Sequence, residues 1–206
     1  MTLNDTINYA FIEATGKPRD LSDGDPKYLK LRKIANLMVN QWENEPGVEW
    51  QSRREMIHLG DVDLGETLYR LPKKALKIAR KNNAKIIIKK EDKKWLFDVS
   101  EPVFTGWQLD FDGLFKEEMN GGEIYVPIIR RSSELIYPDQ EIEIDNPTWL
   151  VFMMAAEFAR NDLIKSGQYG NLIAYAQGLM ESMKINNEDT YAHNADFMNY
   201  GGVFHD

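Results

Sequence analysis

The 206-residue sequence contains no cysteine, which excludes disulfide bonds, thiol catalysis and zinc–thiolate sites. Long hydrophobic runs are also absent. The apolar run at residues 149–156 ends at Glu157, far short of the roughly 20 residues that a membrane span needs. The N-terminal residues have neither a basic region nor a long apolar region, so we expect no secretory signal. The composition predicts a soluble, globular protein that is intracellular during its synthesis and has no membrane partner.

Known catalytic motifs are missing as well. The three histidines, His58, His193 and His205, are scattered, and none lies four residues from another or within an HExxH pattern. The sequence has no P-loop, no GxGxxG dinucleotide motif and no GxSxG nucleophile motif. We therefore predict no catalytic residue, no cofactor and no enzymatic activity.

Two short acidic clusters are the candidates for a metal site. Asp61–Asp63 and Asp110–Gly113 are both shorter than a calcium-binding loop and lack the later glutamate that such a loop requires. Asp and Gly favour turns, so we interpret both clusters as turns. Glu117 and Glu118 are adjacent and do not share a face of regular structure, which argues against a paired-carboxylate acid/base site. We predict no metal site, and an enzyme with a metal at the second cluster is the weakest hypothesis.

Helical periodicity is present at both ends of the chain. Residues 3–15 and 26–45 each place apolar side chains on one face. Residues 146–184 offer the most helical apolar surface, with a break at Ser166-Gly167. Because residues 149–156 are apolar at every position, we expect this helix to lie in a core, against the two N-terminal helices. The predicted core residues of this helix are Trp149, Leu150, Phe152, Met153 and Phe158.

Between these helices, short runs of β-branched and aromatic residues alternate with turns, a pattern typical of strands. The candidate strands are 54–59, 67–71, 85–89, 95–99, 103–111, 122–131 and 141–145, of which the third and fourth form a hairpin. The sequence thus predicts an α+β fold, in which a helical bundle carries a mostly antiparallel β-rich insertion and an extended C-terminal tail. The predicted divisions are N-terminal helices at 1–46, the insertion at 47–145, C-terminal helices at 146–186 and the tail at 187–206.

The predicted tail is polar, yet it contains many aromatic side chains. A segment that only fills solvent rarely contains so many. It either folds back on its own domain or docks into a groove on a partner. The candidate docking residues are Tyr191, Phe197, Met198, Tyr200, Val203 and Phe204.

Positive charge is concentrated in residues 70–94. The net charge of the chain is -8, but this segment contains eleven basic and two acidic residues, so it carries +9 and the remainder carries -17. The lysines are explained by a solvated face that blocks edge-strand aggregation, by contact with DNA phosphates, or by contact with an acidic protein. Aromatic residues do not interleave with them, so sequence-specific reading of nucleic acid is not predicted. The candidate residues facing DNA or an acidic partner are Lys73, Lys74, Lys77, Arg80, Lys81, Lys85, Lys89, Lys90, Lys93 and Lys94.

Two groups of segments carry a family resemblance. In the C-terminal helices they are Pro147–Val151, Ala155–Asp162 and Gly167–Leu172. In the N-terminal half they are Thr15–Pro18, Ser22–Pro26 and Trp42–Trp50. Together with the helix–β–helix order, these segments resemble the head-to-tail adaptor (connector) proteins of tailed bacteriophages, the group that includes tail tubular protein A. The resemblance covers about residues 3–60 and 140–185, and the β-rich insertion matches in type and placement.

The resemblance implies a structural virion protein. Such adaptors form a ring, a dodecamer, beneath the portal protein, where the ring extends the DNA channel and provides a platform for the tail. The implied partners are further copies of the chain, the portal protein, a tail or nozzle protein, and genomic DNA that passes through without sequence reading. The C-terminal segment of such adaptors clasps the portal, which favours docking for the aromatic tail. The expected location is the virion neck, with host cytoplasm during assembly, and the alternative is a DNA-binding protein that uses residues 70–94.

Overall fold

The computed structural model describes residues 1–160 and 166–199, with side chains described over 1–160 and 168–188. The predicted α+β class is confirmed, because the sequence order of elements is helices, then antiparallel strands, then helices. Every strand pairing in the described part of the chain is antiparallel.

The chain forms two compact units. The helical unit is discontinuous and contains Met1–Val48 together with Ser132–His193, whereas the β unit contains Glu49–Arg131. The β unit is therefore shorter than the insertion predicted at 47–145. The segment 141–145, predicted as a strand, belongs to the helical unit and makes only an isolated bridge between Thr2 and Glu141. Its alternating pattern arises because Ile142 and Ile144 are buried in that unit without a strand partner.

The helices of the described chain are α1 (Leu3–Thr15), α2 (Pro26–Glu43), α3 (Pro147–Ala159) and α4 (Ser166–Asn199). The start of α1 is fixed by a capping box, in which the Thr2 hydroxyl accepts the Asp5 N–H and the Asp5 carboxylate accepts the Thr2 N–H, both at 3.2 Å. The start of α2 is fixed by Asp25, whose carboxylate accepts the N–H of Lys27 at 2.8 Å. These local caps account for the close agreement between the predicted and observed starts.

The helix α3 lies at the centre of the helical unit. It contacts both α1 and α2, as its uniformly apolar sequence predicts. Trp149 and Leu150 are buried, while Phe152, Met153 and Phe158 are half-buried. The edge of the Phe158 ring meets Phe11 of α1, with ring centroids 5.9 Å apart. The five predicted core residues therefore stabilise the bundle rather than form a separate site.

The helix α4 begins at Ser166, where a break is predicted. Its buried side chains are Leu172, Ala176, Met180, Met183 and Asn187. Tyr175 stacks on Phe152 of α3 with ring centroids 5.4 Å apart, and Lys184 forms an ion pair with Glu45 at 2.7 Å. The backbone stays helical to Asn199, so 187–199 is not extended as predicted, because no proline or glycine interrupts it. Residues 200–206 of the predicted tail lie outside the described residues.

The β unit contains β1 (Arg54–Asp61), β2 (Leu68–Arg70), β3 (Ala75–Ile78), β4 (Lys85–Lys90), β5 (Lys93–Asp98), β6 (Val103–Thr105), β7 (Gln108–Asp110) and β8 (Glu123–Arg130). The predicted hairpin is confirmed as β4–β5, with a two-residue turn at Glu91-Asp92. The single strand predicted at 103–111 is two strands, because Gly106-Trp107 forms a tight turn. The strand β3 was not predicted, since its four residues lie between lysines and lack a clear alternation.

The strand β8 is the centre of the larger sheet. It pairs with β1 along one edge, and with β4 and β3, one after the other, along the other edge. The smaller sheet has the order β2-β7-β6. Both sheets contribute to one hydrophobic core, whose fully buried members include Ile86, Ile88, Leu109, Phe111, Ile124, Val126 and Ile128. Along β4, buried Ile86 and Ile88 alternate with half-buried residues, so one face of this strand meets the core. Along β8, the four consecutive residues 126–129 are all buried.

Candidate functional site

The basic residues of the 70–94 segment are distributed over β2 to β5 and the connections between these strands. Several of them contact other residues of the β unit. Lys74 pairs with Glu55, Lys85 pairs with Asp98, and Lys90 donates to the carbonyl oxygen of Asn120 at 2.8 Å. These three contacts are structural, since each joins the basic side chain to a neighbouring strand or turn. The ammonium group of Lys89 lies over the Tyr125 ring, 5.1 Å from its centroid.

A second group of cations is exposed. The β4–β5 hairpin ends in two cross-strand lysine pairs, Lys89 with Lys94 and Lys90 with Lys93, on either side of the Glu91-Asp92 turn. Lys93 and Lys94 are exposed and form no ion pair with any residue that the structure describes. Like charges directly opposite each other on a sheet are destabilising. The end of this hairpin is therefore a local positive patch that an anionic partner would stabilise.

A cleft in the β unit brings together residues that are far apart in the sequence. It encloses about 610 Å³ and is lined by Arg70, Leu71, Pro72, Lys73, Thr105, Trp107, Gln108 and Arg131. Lys73 is one of the predicted candidate residues, and Arg70 lies within the predicted basic segment 70–94. Trp107 and Arg131 were not predicted as site residues. None of these described lining residues is acidic. The site is therefore positively charged in a protein whose net charge is negative.

The backbone fixes the positions of these side chains. Arg70 lies at the end of β2, where it pairs with Gln108 of β7. The N–H of Leu71 donates to the carbonyl oxygen of Trp107, and the N–H of Arg131 donates to that of Lys74, both at 2.8 Å. These hydrogen bonds hold strand ends and short connections together, so that Arg70, Lys73 and Arg131 line the same cleft.

Trp107 occupies the second position of the two-residue turn between β6 and β7. Gly106, the first position, has a φ of 62°, while Trp107 does not have a positive φ. This combination is typical of a type II′ hairpin turn, which favours glycine first. Trp107 is 47% exposed, so much of its indole is open to solvent. A Gly-Trp pair between two short β-rich runs was the sequence signal that could have identified this turn.

The predicted docking residues of the tail cannot be placed at a site. Tyr191, Phe197 and Met198 belong to α4, but their side chains lie outside the described set. Tyr200, Val203 and Phe204 lie outside the described residues altogether. Docking of the tail therefore stays a prediction.

The two acidic clusters form turns, as predicted. The Asp63 carboxylate accepts the N–H of Gly65 at 2.8 Å, and the Asp110 carboxylate accepts the N–H of Asp112 at 3.0 Å. Among the residues that the structure describes, no group of three or more histidine or acidic side chains is placed to hold a metal ion.

The ionisable groups with shifted pKa values have structural explanations. Burial raises the pKa of Tyr69, whose hydroxyl donates to the carbonyl oxygen of Asp61 at 2.7 Å. A hydrogen bond to the Glu123 carboxylate raises the pKa of Tyr125. Neither phenol is made more acidic, so neither is prepared to act as a base or nucleophile near neutral pH.

Comparisons with known proteins do not assign the chain to a family. No protein-family model and no curated protein sequence matches it. Within residues 1–160 and 166–199, no helix is both long enough and apolar enough to cross a membrane.

Proposed function

We propose that this chain is a structural protein of the neck of a tailed bacteriophage, where many copies, a dodecamer, form a ring between the portal and the tail. The observation that supports this proposal most strongly is the discontinuous helical unit. Met1–Val48 and Ser132–His193 form one helical unit, and the antiparallel β unit is inserted between them. This is the layout that the resemblance to head-to-tail adaptors implies. In this role the protein extends the DNA channel and provides a platform for a tail or nozzle protein.

A closed ring needs two different contact surfaces on each copy, because its interfaces are heterologous. The helical unit has large apolar side chains that are exposed on the single chain, and these provide surface for neighbouring copies. They include Tyr9, Leu29, Leu37, Ile136, Tyr137, Tyr175 and Ile185. Leu37 on α2, 62% exposed, and Ile185 on α4, 59% exposed, are the most exposed aliphatic members.

The assembly state tests this proposal. Light scattering and cryo-electron microscopy of the purified protein, alone and with its portal protein, should show a closed ring. Leu37→Glu should fold but reduce ring formation, whereas Lys17→Glu, on an exposed loop of the same unit, should assemble normally. A protein that remains monomeric and never binds the portal would contradict the proposal.

Portal attachment through the C-terminal segment is a separate part of this proposal. The described buried side chains of α4 end at Asn187, so a chain that stops at Glu188 should keep its folded core. It should lose portal attachment, as should the full-length Phe197→Ser, Phe204→Ser double variant. A double variant with Asn194→Ser and His205→Ser keeps the aromatic residues and should attach normally. Unchanged attachment of the shortened chain would refute this assignment.

A second candidate function is contact with DNA through the basic segment, supported by Lys93 and Lys94 at the hairpin end, which form no ion pair with a described residue. Duplex DNA should bind at low salt, with an affinity that falls steeply as salt rises. The Lys93→Gln, Lys94→Gln double variant should weaken this binding, whereas Lys17→Gln, on the helical unit, should not. Absence of duplex binding at low salt would exclude this function.

A further inference from the structure

The cleft of the β unit combines two chemical features. Three cations, Arg70, Lys73 and Arg131, line it without any acidic residue. All three are exposed, and none forms an ion pair or side-chain hydrogen bond with a residue that the structure describes. Elsewhere in the same unit, Lys74 and Lys85 are neutralised by carboxylates. The cleft thus keeps its positive charge available to a ligand.

The second feature is a flat aromatic surface in the same cleft. The indole of Trp107 lies at the tip of a hairpin, with its backbone carbonyl held by the N–H of Leu71. Thr105 and Gln108, on either side of the turn, add side-chain groups that can donate and accept hydrogen bonds. A ligand that contacts all of these groups has negative charges close to a planar ring, and the ring has polar atoms at its edge.

We propose that this cleft binds single-stranded nucleic acid, with one base stacked on Trp107 and neighbouring phosphates on Arg70, Lys73 and Arg131. Stacking on an aromatic side chain needs an unpaired base, which favours a single strand over a duplex. An acidic peptide would satisfy the cations but would leave the exposed indole without a function. Because the contacts go to phosphates and to a base face, the binding tolerates any sequence.

This inference does not depend on assembly into a ring, and it extends the second candidate function to a different nucleic acid and a different set of residues. The positive hairpin end and the cleft are tested by separate variants. If the variants show that one of these sites does not bind nucleic acid, the proposal for the other site is unaffected.

The test measures fluorescence anisotropy of a labelled oligothymidylate of about ten nucleotides, a length within the usual site size for single strands. Competitors are a duplex of the same length, a polyglutamate peptide and inorganic phosphate. We expect the single strand to bind more tightly than each competitor. With three phosphates contacted, the slope of log affinity against log salt should be about -2.

Variants identify the residues responsible. Trp107→Ala should weaken binding at least about fivefold, which corresponds to the lower limit of a stacking contact, and Trp107→Phe should restore part of it. Arg131→Ala should reduce the magnitude of the salt slope by about 0.7. Lys116→Ala removes the same charge from an exposed position outside the cleft and should leave the slope unchanged. Circular dichroism would show whether each variant is folded.

Three results would overturn the inference. They are the absence of single-strand binding at low salt, equal binding by Trp107→Ala and the wild type, and displacement of the single strand by the duplex or the peptide at equal concentration. If Trp107→Ala does not fold, the comparison of Arg131→Ala with Lys116→Ala decides, because equal salt slopes for the two would also overturn it.

Discussion

The backbone N–H of Leu71 donates a 2.8 Å hydrogen bond to the carbonyl oxygen of Trp107. Leu71 is buried, whereas the indole of Trp107 is 47% exposed. The bond therefore attaches an exposed aromatic side chain to the core through the backbone alone. Because the indole takes no part in this hydrogen bond, we expect that the side chain of Trp107 can be replaced with little effect on the fold.

The turn that carries Trp107 depends on Gly106. Its φ of 62° lies in the left-handed region, which residues with a Cβ rarely adopt. An added Cβ would meet no atom within 4 Å, so Gly106→Ala should destabilise the protein only through the backbone conformation. We expect it to lower the free energy of unfolding by about 1 kcal/mol. Gly24→Ala, at a position without a positive φ and also in open space, is the matched control. Urea unfolding with equal midpoints for both variants would contradict this prediction.

Gly122 is required for a different reason, which is close packing. Its N–H donates to the carbonyl oxygen of Met119, and a Cβ would lie 2.9 Å from that oxygen and 3.1 Å from Cγ2 of Ile88. The backbone oxygen cannot move without breaking the turn, so Gly122→Ala should lower the free energy of unfolding by about 1–3 kcal/mol. Gly178→Ala, on the exposed face of α4, should instead raise it by about 0.5–1 kcal/mol. Thermal and urea unfolding measure both, and equal shifts would refute the packing argument.

Most of the helical unit could be predicted from the sequence, because its signals are local. The cap at Asp25 and the apolar face of α3 lie within the elements that they determine. Residues 141–145 show the limit of such reasoning. Ile142 and Ile144 alternate like a strand, but the same period-two pattern results when an extended segment buries one side against helices. Only the tertiary contacts distinguish the two cases.

The cleft could not be predicted in the same way. Arg70 and Arg131 are 61 positions apart in the numbering, and the pairing of β2 with β7 and the position of β8 bring them to one place. Trp107 was hidden within a stretch that reads as one strand. Local residue patterns do not contain such non-local register, so the predicted basic segment includes Arg70 and Lys73 of the cleft but not Trp107 and Arg131.

Glu49 is a buried carboxylate that stabilises a turn in the β unit. It accepts the backbone N–H of Arg80 at 3.0 and 3.1 Å and that of Lys81 at 3.1 Å. Glu49→Gln replaces one acceptor with an NH₂ group that faces these donors, so we expect it to lower the free energy of unfolding by about 1–3 kcal/mol. Glu117→Gln, at an exposed position, is the control with the same change of charge and should stay within about 0.5 kcal/mol of the wild type. Urea titration that finds the two variants equally stable would be the contrary result.

The contact between Lys184 and Glu45 predicts a pH dependence. The hydrogen bond to Glu45, followed by that to Glu181, raises the pKa of Lys184 above 10.5. A raised pKa in the folded state means that this stabilisation is complete below pH 10.5 and disappears as pH rises through the folded-state value. Both partners are partly exposed, so the contribution should not exceed about 1 kcal/mol.

The variant Lys184→Met tests this predicted pH dependence of stability. Its stability should fall below that of the wild type at pH 8, and the difference should vanish as pH rises beyond the folded-state pKa of Lys184. Lys17→Met, which removes an exposed lysine from the same unit, should show no such convergence. A difference that is constant with pH would show that the effect comes from packing rather than from the charge.

The position of β8 in the chain affects the order in which the protein can fold during synthesis. β1 and β3 pair only with β8 among the described strands, so both must wait without a partner until residues 123–130 leave the ribosome. α1 and α2 contact each other, but both also pack against α3, which follows later still. The nascent chain therefore exposes strand edges and apolar helix faces over most of its translation, and a stalled product that ends before β8 should aggregate or bind chaperones.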